Sequence, residues 1–263
     1  QQELARGARG FVSSSGGNAG IAVAYVGRKL GVPVRVVVPE TTSVVARQLI
    51  RAEGAELIVH GESWFEANAY VQESLAGDEA FIHPFDHPLL WQGHSSLIDE
   101  VVQCGIKPSV VVLSVGGGGL LCGAVEGMQR VGWHDVPVLA METEGAESFA
   151  AARAAGRAVR LPAITSIASS LGARQVCDQA LTWADQHPVI SEVVSDAAAL
   201  IACERLLQDH RLLVEPACGA ALAAVTESSK HLQSAESILV IVCGGVTMTD
   251  VQMRQSVSYT HLR

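Results

Sequence analysis

Aromatic and charged residues are both scarce in this chain of 263 residues. Phe, Trp and Tyr make up 5% of it and Asp, Glu, Lys and Arg 17%, against 49% hydrophobic residues. Such a composition excludes a disordered chain, because it can bury a large core. The formal net charge of -9 comes without a basic cluster, which argues against a nucleic-acid partner. No apolar run reaches the length of a membrane span, so we expect no membrane partner either.

The cysteines lack the spacings that bind metals or form redox motifs. No CxxC or Cys/His metal pattern is present. The first six residues also lack the basic and apolar regions of a secretory signal peptide. We therefore expect a cytoplasmic protein with buried, reduced thiols rather than a disulfide framework. This expectation covers Cys104, Cys122, Cys177, Cys203, Cys218 and Cys243.

Strand and helix patterns alternate along the chain. Continuous Val/Ile runs are typical of strands buried on both faces, and Gly or Pro ends most segments. The patterns predict strands at 10–14, 34–38, 56–59, 81–83, 109–115, 136–141 and 237–243. They predict helices at 19–30, 42–52, 64–76, 96–104, 120–131, 146–155, 178–186, 197–209 and 219–231. This alternation predicts an α/β fold of parallel sheets covered on both faces.

Two prolines, Pro84 and Pro88, interrupt this alternation and mark the best candidate for a domain boundary. We expect a small α/β domain over 1–87 and a larger one over 88–255, with a cleft between them. Residues 256–263 fit neither a strand nor a capped helix, and we interpret them as a tail that is not native to the fold.

Four consecutive glycines, residues 116–119, form the strongest local signal. They follow a predicted buried strand and precede a predicted helix. Successive backbone N–H groups at a helix N-terminus can bind a phosphate, and glycine permits the close approach. No Lys-Ser/Thr pair follows, so this is not a nucleoside-triphosphate loop, and the spacing is not GxGxxG. The alternative is a turn that only makes room for helix–sheet packing.

A second turn, residues 13–20, gathers hydroxyl groups, free N–H groups and an amide at another helix start. Such a turn can bind a carboxylate, and the Asn18 amide can donate to a phenolate oxygen. The alternative is helix capping by Ser15 or Asn18.

Three other features stay open between a functional and a structural interpretation. Cys243 ends a predicted strand, where its thiol could face a ring nitrogen or belong to the core. Glu215 lies at a predicted helix start, where capping is at least as good an explanation as a direct role. His83 and His94 lack metal-ligand spacing, which favours hydrogen bonding within loops.

Together these segments resemble the fold-type-II pyridoxal-phosphate enzymes, and most closely the L-serine dehydratase/L-threonine deaminase family. The matching stretches follow in the family's order and span nearly the whole chain. They are SSGGNAG at 14–20, PFDHPLLWQGH at 84–94, SVGGGGLLCG at 114–123, AMETEGAESF at 140–149, LVEPACGAALAAV at 213–225 and VIVCGG at 240–245.

The resemblance implies two tryptophan-synthase-β-like domains with pyridoxal phosphate in the cleft, and a role for each matching residue. Asn18 would bind the pyridine 3′-oxygen and Cys243 the ring nitrogen. The phosphate would be bound by Gly116, Gly117, Gly118, Gly119 and Leu120. The substrate carboxylate would be bound by Ser15, Gly16, Asn18 and Ala19. A monovalent cation, usually potassium, would be bound near Glu142, Ala146, Ser148, Leu171 and Ala173. The resemblance also implies a homodimer. Nothing in Phe85, His94 or Ala146 separates serine from threonine as substrate.

One departure from the family bears on activity. The family's Schiff-base lysine lies upstream of the SSGGNAG turn, whereas residues 1–10 contain no lysine. Lys29, Lys107 and Lys230 do not match its position. The chain also does not begin with Met, and we interpret it as truncated at its N-terminus, with no catalytic residue assigned.

The resemblance implies an ammonia-lyase that converts L-serine to pyruvate and L-threonine to 2-oxobutanoate. A serine racemase-like enzyme is the alternative within the superfamily. For this chain by itself, an inactive fragment that binds pyridoxal phosphate is the non-enzymatic alternative.

Overall fold

The computed structural model describes residues 1–249, 251–253 and 255–256. The chain divides into two compact units, Gln1–Pro84 and Phe85–Arg263. Most of the predicted tail at 256–263 lies outside the described residues. In the described part of the chain, no helix is both long and apolar enough to cross a membrane.

The first unit contains one four-stranded parallel sheet in the order β3-β2-β1-β4. Its core lies around β2, whose four valines are all buried while Arg35 is partly exposed. The helices begin at hydroxyl caps where the sequence supplies them, Ser43 for α3 and Ser63 for α4. The elements are α1 (Gln2–Ala5), β1 (Gly10–Ser13), α2 (Asn18–Leu30), β2 (Val34–Val38), α3 (Val44–Ala52), β3 (Glu56–Val59), α4 (Trp64–Ser74) and β4 (Glu79–Phe81).

The second unit contains another four-stranded parallel sheet, in the order β7-β6-β5-β8. The central strands β5 and β6 are buried along their whole length, as their continuous apolar sequences predict. The elements are α5 (Pro88–Gln103), β5 (Val110–Ser114), α6 (Gly119–Arg130), β6 (Val138–Thr143), α7 (Ser148–Ala155), α8 (Asp178–Gln186), β7 (Val189–Val194), α9 (Asp196–His210), α10 (Pro216–Thr226) and β8 (Ile238–Val240), with 3₁₀ turns at Ser169–Leu171 and Lys230–Leu232.

Helices α5 and α6 pack closely because glycines of α6 face α5. A Cβ atom on Gly123 would lie 2.4 Å from the Cβ of His94. A Cβ atom on Gly127 would lie 2.7 Å from the carbonyl oxygen of Ser95. Both distances are too short for a side chain, so these glycines set how near the two helices come.

The strand predicted at 136–141 is displaced by two residues, since β6 is Val138–Thr143, and the strand predictions were also wrong at three other places. The strand predicted at 81–83 is β4 at Glu79–Phe81, where it pairs with β1. Strand β7 was missed, because Ser191 and Glu192 interrupt its apolar pattern at the edge of the sheet. The strand predicted at 237–243 is only three residues long, since its pairing with β5 covers Val110–Val112 alone.

The largest errors in the helix boundaries concern two helices, α5 and α10. Helix α5 begins at Pro88 and not at 96, because proline is well suited to the first position of a helix. The side chain of His87 caps this helix, since its Nδ1 accepts a hydrogen bond from the N–H of Leu89. Helix α10 likewise begins at a proline and ends at Thr226. Ser228 then adopts a left-handed φ of 54°, which separates α10 from the following 3₁₀ turn.

All six cysteines are free thiols, but the prediction that all are buried was wrong for two of them. Cys104 and Cys243 are exposed. Cys104 follows the last residue of helix α5, and Cys243 lies beyond the end of strand β8, so both thiols lie at the end of an element and not within one.

Candidate functional site

The four-glycine segment connects the end of β5 to the first turn of α6. Gly118 is the residue before the helix and has a left-handed φ of 93°, a conformation that glycine adopts without strain. No side chain caps this helix. The first N–H groups of a helix have no partner within it, so those of α6 are left to bind an external acceptor.

The surroundings of the glycines leave no room for side chains. A Cβ atom on Gly117 would lie 2.2 Å from the ring of Phe85, and one on Gly119 would lie 2.7 Å from the Phe85 carbonyl oxygen. At Gly118 a Cβ atom would meet Ala180, Val176 and Cys177 at 2.9 to 3.1 Å. Close packing thus explains part of the glycine run, as the alternative interpretation held. In addition, a helix start without a side-chain cap, preceded by residues without side chains, offers the backbone N–H groups that bind a phosphate.

The turn at 13–20 connects β1 to α2 in the first unit. Gly17 precedes the helix and no side chain caps it, so the interpretation of Ser15 or Asn18 as a helix cap was wrong. Asn18 is instead the first residue of α2, followed by Ala19, and the Ser15 hydroxyl accepts the N–H of Gly17 at 3.3 Å. The turn therefore contains a hydroxyl, an amide and backbone N–H groups at one helix N-terminus.

A residue that the sequence did not single out supports this turn. The hydroxyl of Ser14, which is buried, donates a hydrogen bond of 2.9 Å to the Asn68 side chain on α4. A Cβ atom on Gly16 would lie 2.3 Å from the hydroxyl oxygen of Thr42, so this glycine is required by space. Asn68 lies 54 residues from Ser14, and no local pattern could have linked the two.

Cys243 lies in the segment that follows β8. A hydrogen bond between the thiols of Cys243 and Cys218 raises the pKa of the Cys243 thiol, which keeps it neutral at ordinary pH. Two glycines with left-handed φ, Gly244 and Gly245, follow at once and turn the chain. Because Cys243 is exposed, it does not belong to the hydrophobic core, which was the structural interpretation that the sequence left open.

The residues predicted to bind a cation lie on two segments near the glycine run. Ser148 Oγ donates to the carbonyl oxygen of Gly116 at 3.4 Å. A Cβ atom on Gly116 would lie 3.0 Å from the Cα of Leu171. Ala146 is buried two residues before α7, and the N–H of Ala173 donates to the Leu171 carbonyl oxygen at 2.8 Å. The structure thus brings Ser148 and Leu171 together at Gly116.

Glu142 has a structural role in the same region. It is fully buried, and its two carboxylate oxygens accept the N–H groups of Phe149 and Ala150 at 2.8 Å each, in the first turn of α7. Burial raises the pKa of Glu142 to about 7 even though these two hydrogen bonds oppose the shift.

Two other candidates from the sequence, Glu215 and His83, make contacts within the fold. Glu215 does not cap α10; its carboxylate accepts hydrogen bonds from Ser170 and Thr247, two residues that sequence reasoning missed. His83 contacts the rings of Trp64 and Phe81 edge-on. Within the described residues, no cluster of three or more His, Cys, Asp or Glu side chains is arranged to bind a metal ion.

None of the three lysines lies in these segments. Lys29 is in the last turn of α2 with its amine 5.6 Å from the centre of the Tyr25 ring. Lys107 forms an exposed ion pair with Asp135 at 2.9 Å. Lys230 is exposed in a 3₁₀ turn.

Comparison with known proteins gives consistent matches over nearly the whole chain. The family model described as pyridoxal-phosphate dependent enzyme matches residues 1–244. The mouse protein named serine dehydratase-like is 50% identical over 97% of this chain and 80% of its own length. Human L-serine dehydratase/L-threonine deaminase is 47% identical over 95% of this chain and 79% of its own length.

A solved structure agrees with these relatives. The crystal structure of a fungal L-serine ammonia-lyase from Rhizomucor miehei superimposes with a TM-score of 0.89 at 35% identity. The match covers 97% of this chain and 84% of the fungal chain.

Proposed function

Since this chain belongs to the family of pyridoxal-phosphate-dependent enzymes, we propose that it is an ammonia-lyase acting on small hydroxy amino acids. The reaction converts L-serine to pyruvate and ammonia, and L-threonine to 2-oxobutanoate and ammonia. The observation that carries the proposal is the uncapped start of α6 behind four glycines, within a family match that spans 1–244.

The phosphate of the cofactor fits the glycine run. The backbone N–H groups that would bind it belong to the start of α6, which has no side-chain cap, and the positive end of the α6 dipole favours an anion. These residues are Gly116, Gly117, Gly118, Gly119 and Leu120. The overall charge of -9 provides no general attraction for a phosphate, so this local arrangement supplies it.

When bound, pyridoxal phosphate delocalises negative charge from the α-carbon of the substrate. In the proposal, the Cys243 thiol faces the ring nitrogen and the Asn18 amide donates to the 3′-oxygen. A raised pKa keeps the thiol neutral, so it does not fix a proton on the ring nitrogen as a carboxylate would. A weak neutral partner favours elimination of the β-hydroxyl group.

The substrate carboxylate is assigned to the turn after β1. Ser15, Gly16, Asn18 and Ala19 combine a hydroxyl group, an amide and N–H groups at the start of α2, the arrangement that binds carboxylates. None of Lys29, Lys107 and Lys230 is proposed as the amine that takes the α-proton.

Three finer assignments belong to the same proposal. A monovalent cation such as potassium would be bound by Glu142 and by oxygens of Ala146, Ser148, Leu171 and Ala173. Oxygen donors of this kind suit a hard cation. The enzyme would act as a homodimer in the cytoplasm.

The test is formation of keto acid by the protein expressed from the whole reading frame that contains this sequence. The purified protein is incubated with L-serine or L-threonine and either pyridoxal phosphate or pyridoxal, which lacks the phosphate. We expect pyruvate and 2-oxobutanoate with pyridoxal phosphate and far less with pyridoxal. Binding of the cofactor without keto acid from either substrate would overturn the proposal.

A further inference from the structure

Glu215 is a buried carboxylate whose partners lie on two other segments of the second unit. Only 3% of its surface is exposed. Its Oε1 accepts hydrogen bonds of 2.5 Å from both the backbone N–H and the hydroxyl group of Thr247. Its Oε2 accepts a hydrogen bond of 2.5 Å from the hydroxyl group of Ser170. One side chain therefore joins the segment after β8 to the 3₁₀ turn at Ser169–Leu171.

The backbone of the segment after β8 also lies directly on Glu215. The N–H of Glu215 donates to the Gly244 carbonyl oxygen at 3.1 Å. A Cβ atom on Gly245 would lie 2.3 Å from the Cδ of Glu215, so only glycine permits this contact. Gly245 has a φ of 101°, which other residues rarely adopt.

These contacts fix the path of the chain on both sides of the two glycines. A buried carboxylate is costly unless donors satisfy it, and one residue, Thr247, supplies two donors here. The carboxylate also lies at the positive end of the α10 dipole, which stabilises its charge. Cys243 precedes Gly244 directly, so the position of its thiol depends on the same contacts.

We propose that Glu215 is a positioning residue whose carboxylate fixes the segment 243–247 and thereby directs the Cys243 thiol. The proposal rests on the role given to Cys243 in the proposed function, where this thiol faces the ring nitrogen of the cofactor. Glu215 itself acts through Thr247 and the two glycines and need not touch the cofactor.

The reaction of Cys243 with iodoacetamide in the cofactor-free protein tests the proposal. Cys243 is exposed, and the other exposed thiol, Cys104 at the end of α5, serves as an internal reference. Peptide mass spectrometry follows both thiols in the same sample. We expect Glu215→Ala to raise the rate at Cys243 by about tenfold, because the loss of charge-assisted hydrogen bonds frees the segment. The rate at Cys104 should stay unchanged.

Further variants separate the hydrogen bonds from the charge. Thr247→Val removes one donor without changing any charge, and we expect a smaller rise at Cys243. Glu215→Gln keeps the shape of the side chain and should fold even if the alanine variant does not. Glu192→Gln is the matched control, since Glu192 on β7 is a partly buried carboxylate that accepts a hydrogen bond from Ser229. It should leave Cys243 unchanged.

A second measurement uses the protein loaded with pyridoxal phosphate. Glu215→Gln should change the visible absorption band of the bound cofactor and lower kcat for L-serine by about tenfold while KM changes little, because the ring partner and not substrate binding is disturbed. Glu192→Gln should change neither. An equal change in kcat and KM with an unaltered absorption band would indicate a merely structural role and overturn the proposal.

The outcomes distinguish this proposal from the proposed function. The positioning role is overturned if the rate at Cys243 is unchanged in Glu215→Ala, Glu215→Gln and Thr247→Val. It is also overturned if the rate at Cys104 rises equally. Pyridoxal phosphate should protect Cys243 from iodoacetamide in the unaltered protein. If it does not protect the thiol while Glu215→Ala still raises the rate, the role of Cys243 in the proposed function fails and the control of the segment by Glu215 stands.

Discussion

Among the four glycines of the run, Gly118 alone combines a left-handed backbone with close neighbours. Its φ of 93° is left-handed, and three side chains lie within 3.1 Å of where its Cβ atom would be. Gly132 has a similar φ of 79°, with nothing within 4 Å of its Cβ position. The two glycines thus share the backbone conformation and differ in the space around them.

We predict that Gly118→Ala lowers the free energy of unfolding more than Gly132→Ala does. Both variants lose about 1 kcal/mol to the left-handed backbone. Gly118→Ala loses a further ~1–3 kcal/mol to overpacking and binds pyridoxal phosphate more weakly. Urea unfolding and cofactor titration measure the two effects. Equal losses in the two variants would show that the space around Gly118 does not matter.

Glu142 gives a prediction about pH. Its pKa in the folded protein is about 7, above the ordinary value of 4.5. Between these values the folded protein retains a proton that the unfolded chain has lost, so the free energy of unfolding falls as pH rises through this window. The loss is on the order of 3 kcal/mol for a shift of this size.

The measurement compares the unaltered protein with Glu142→Gln by chemical unfolding at pH 5 and pH 7.5, in buffers without sodium or potassium. Glutamine does not ionise, so the fall in stability between the two pH values should be smaller in the variant. Potassium added at pH 7.5 should restore stability to the unaltered protein only. The same pH dependence in both proteins would show that Glu142 is not the group responsible.

The sequence predicted a residue's role where the residue and its neighbours lie in one short segment of the chain. The glycine run between a strand and a helix is such a case. The partners of Glu215 were not, because Ser170 and Thr247 lie 45 and 32 residues away in sequence. Asn68 is another residue whose contact depends on tertiary packing.

Helices and strands were predictable where the apolar pattern was continuous. Strands β2 and β3 and helix α8 have the predicted bounds. Strand β7 was not predictable in the same way, because an edge strand is buried less and its sequence alternates less clearly. The start of α5 was obscured because proline both interrupts and begins helices.

The contact between α5 and α6 gives a prediction at the level of elements. Gly127 faces α5 and has no space for a Cβ atom, whereas Gly93 in the middle of α5 has nothing within 4 Å. Gly127→Ala should lower the free energy of unfolding by ~1–3 kcal/mol through overpacking. Gly93→Ala should raise it by ~0.5–1 kcal/mol, since alanine favours a helix. Thermal or urea unfolding measures both, and a stabilising Gly127→Ala would contradict the close helix contact.

The whole molecule consists of two parallel-sheet units, and this architecture followed from the alternation of Val/Ile runs and helices. The fold is that of the fold-type-II pyridoxal-phosphate enzymes, as the resemblance implied. Substrate preference did not follow from the sequence, because nothing in Phe85, His94 or Ala146 separates serine from threonine. The homodimer, the cation and the domain boundary at residue 87 stay predictions.

The most direct test of the central claim is to follow the fate of L-serine with the protein expressed from its whole reading frame and saturated with pyridoxal phosphate. Pyruvate, ammonia and D-serine are quantified together over time. The account predicts pyruvate and ammonia in equal amounts with little D-serine. D-serine accumulating without pyruvate would identify a racemase and contradict the account.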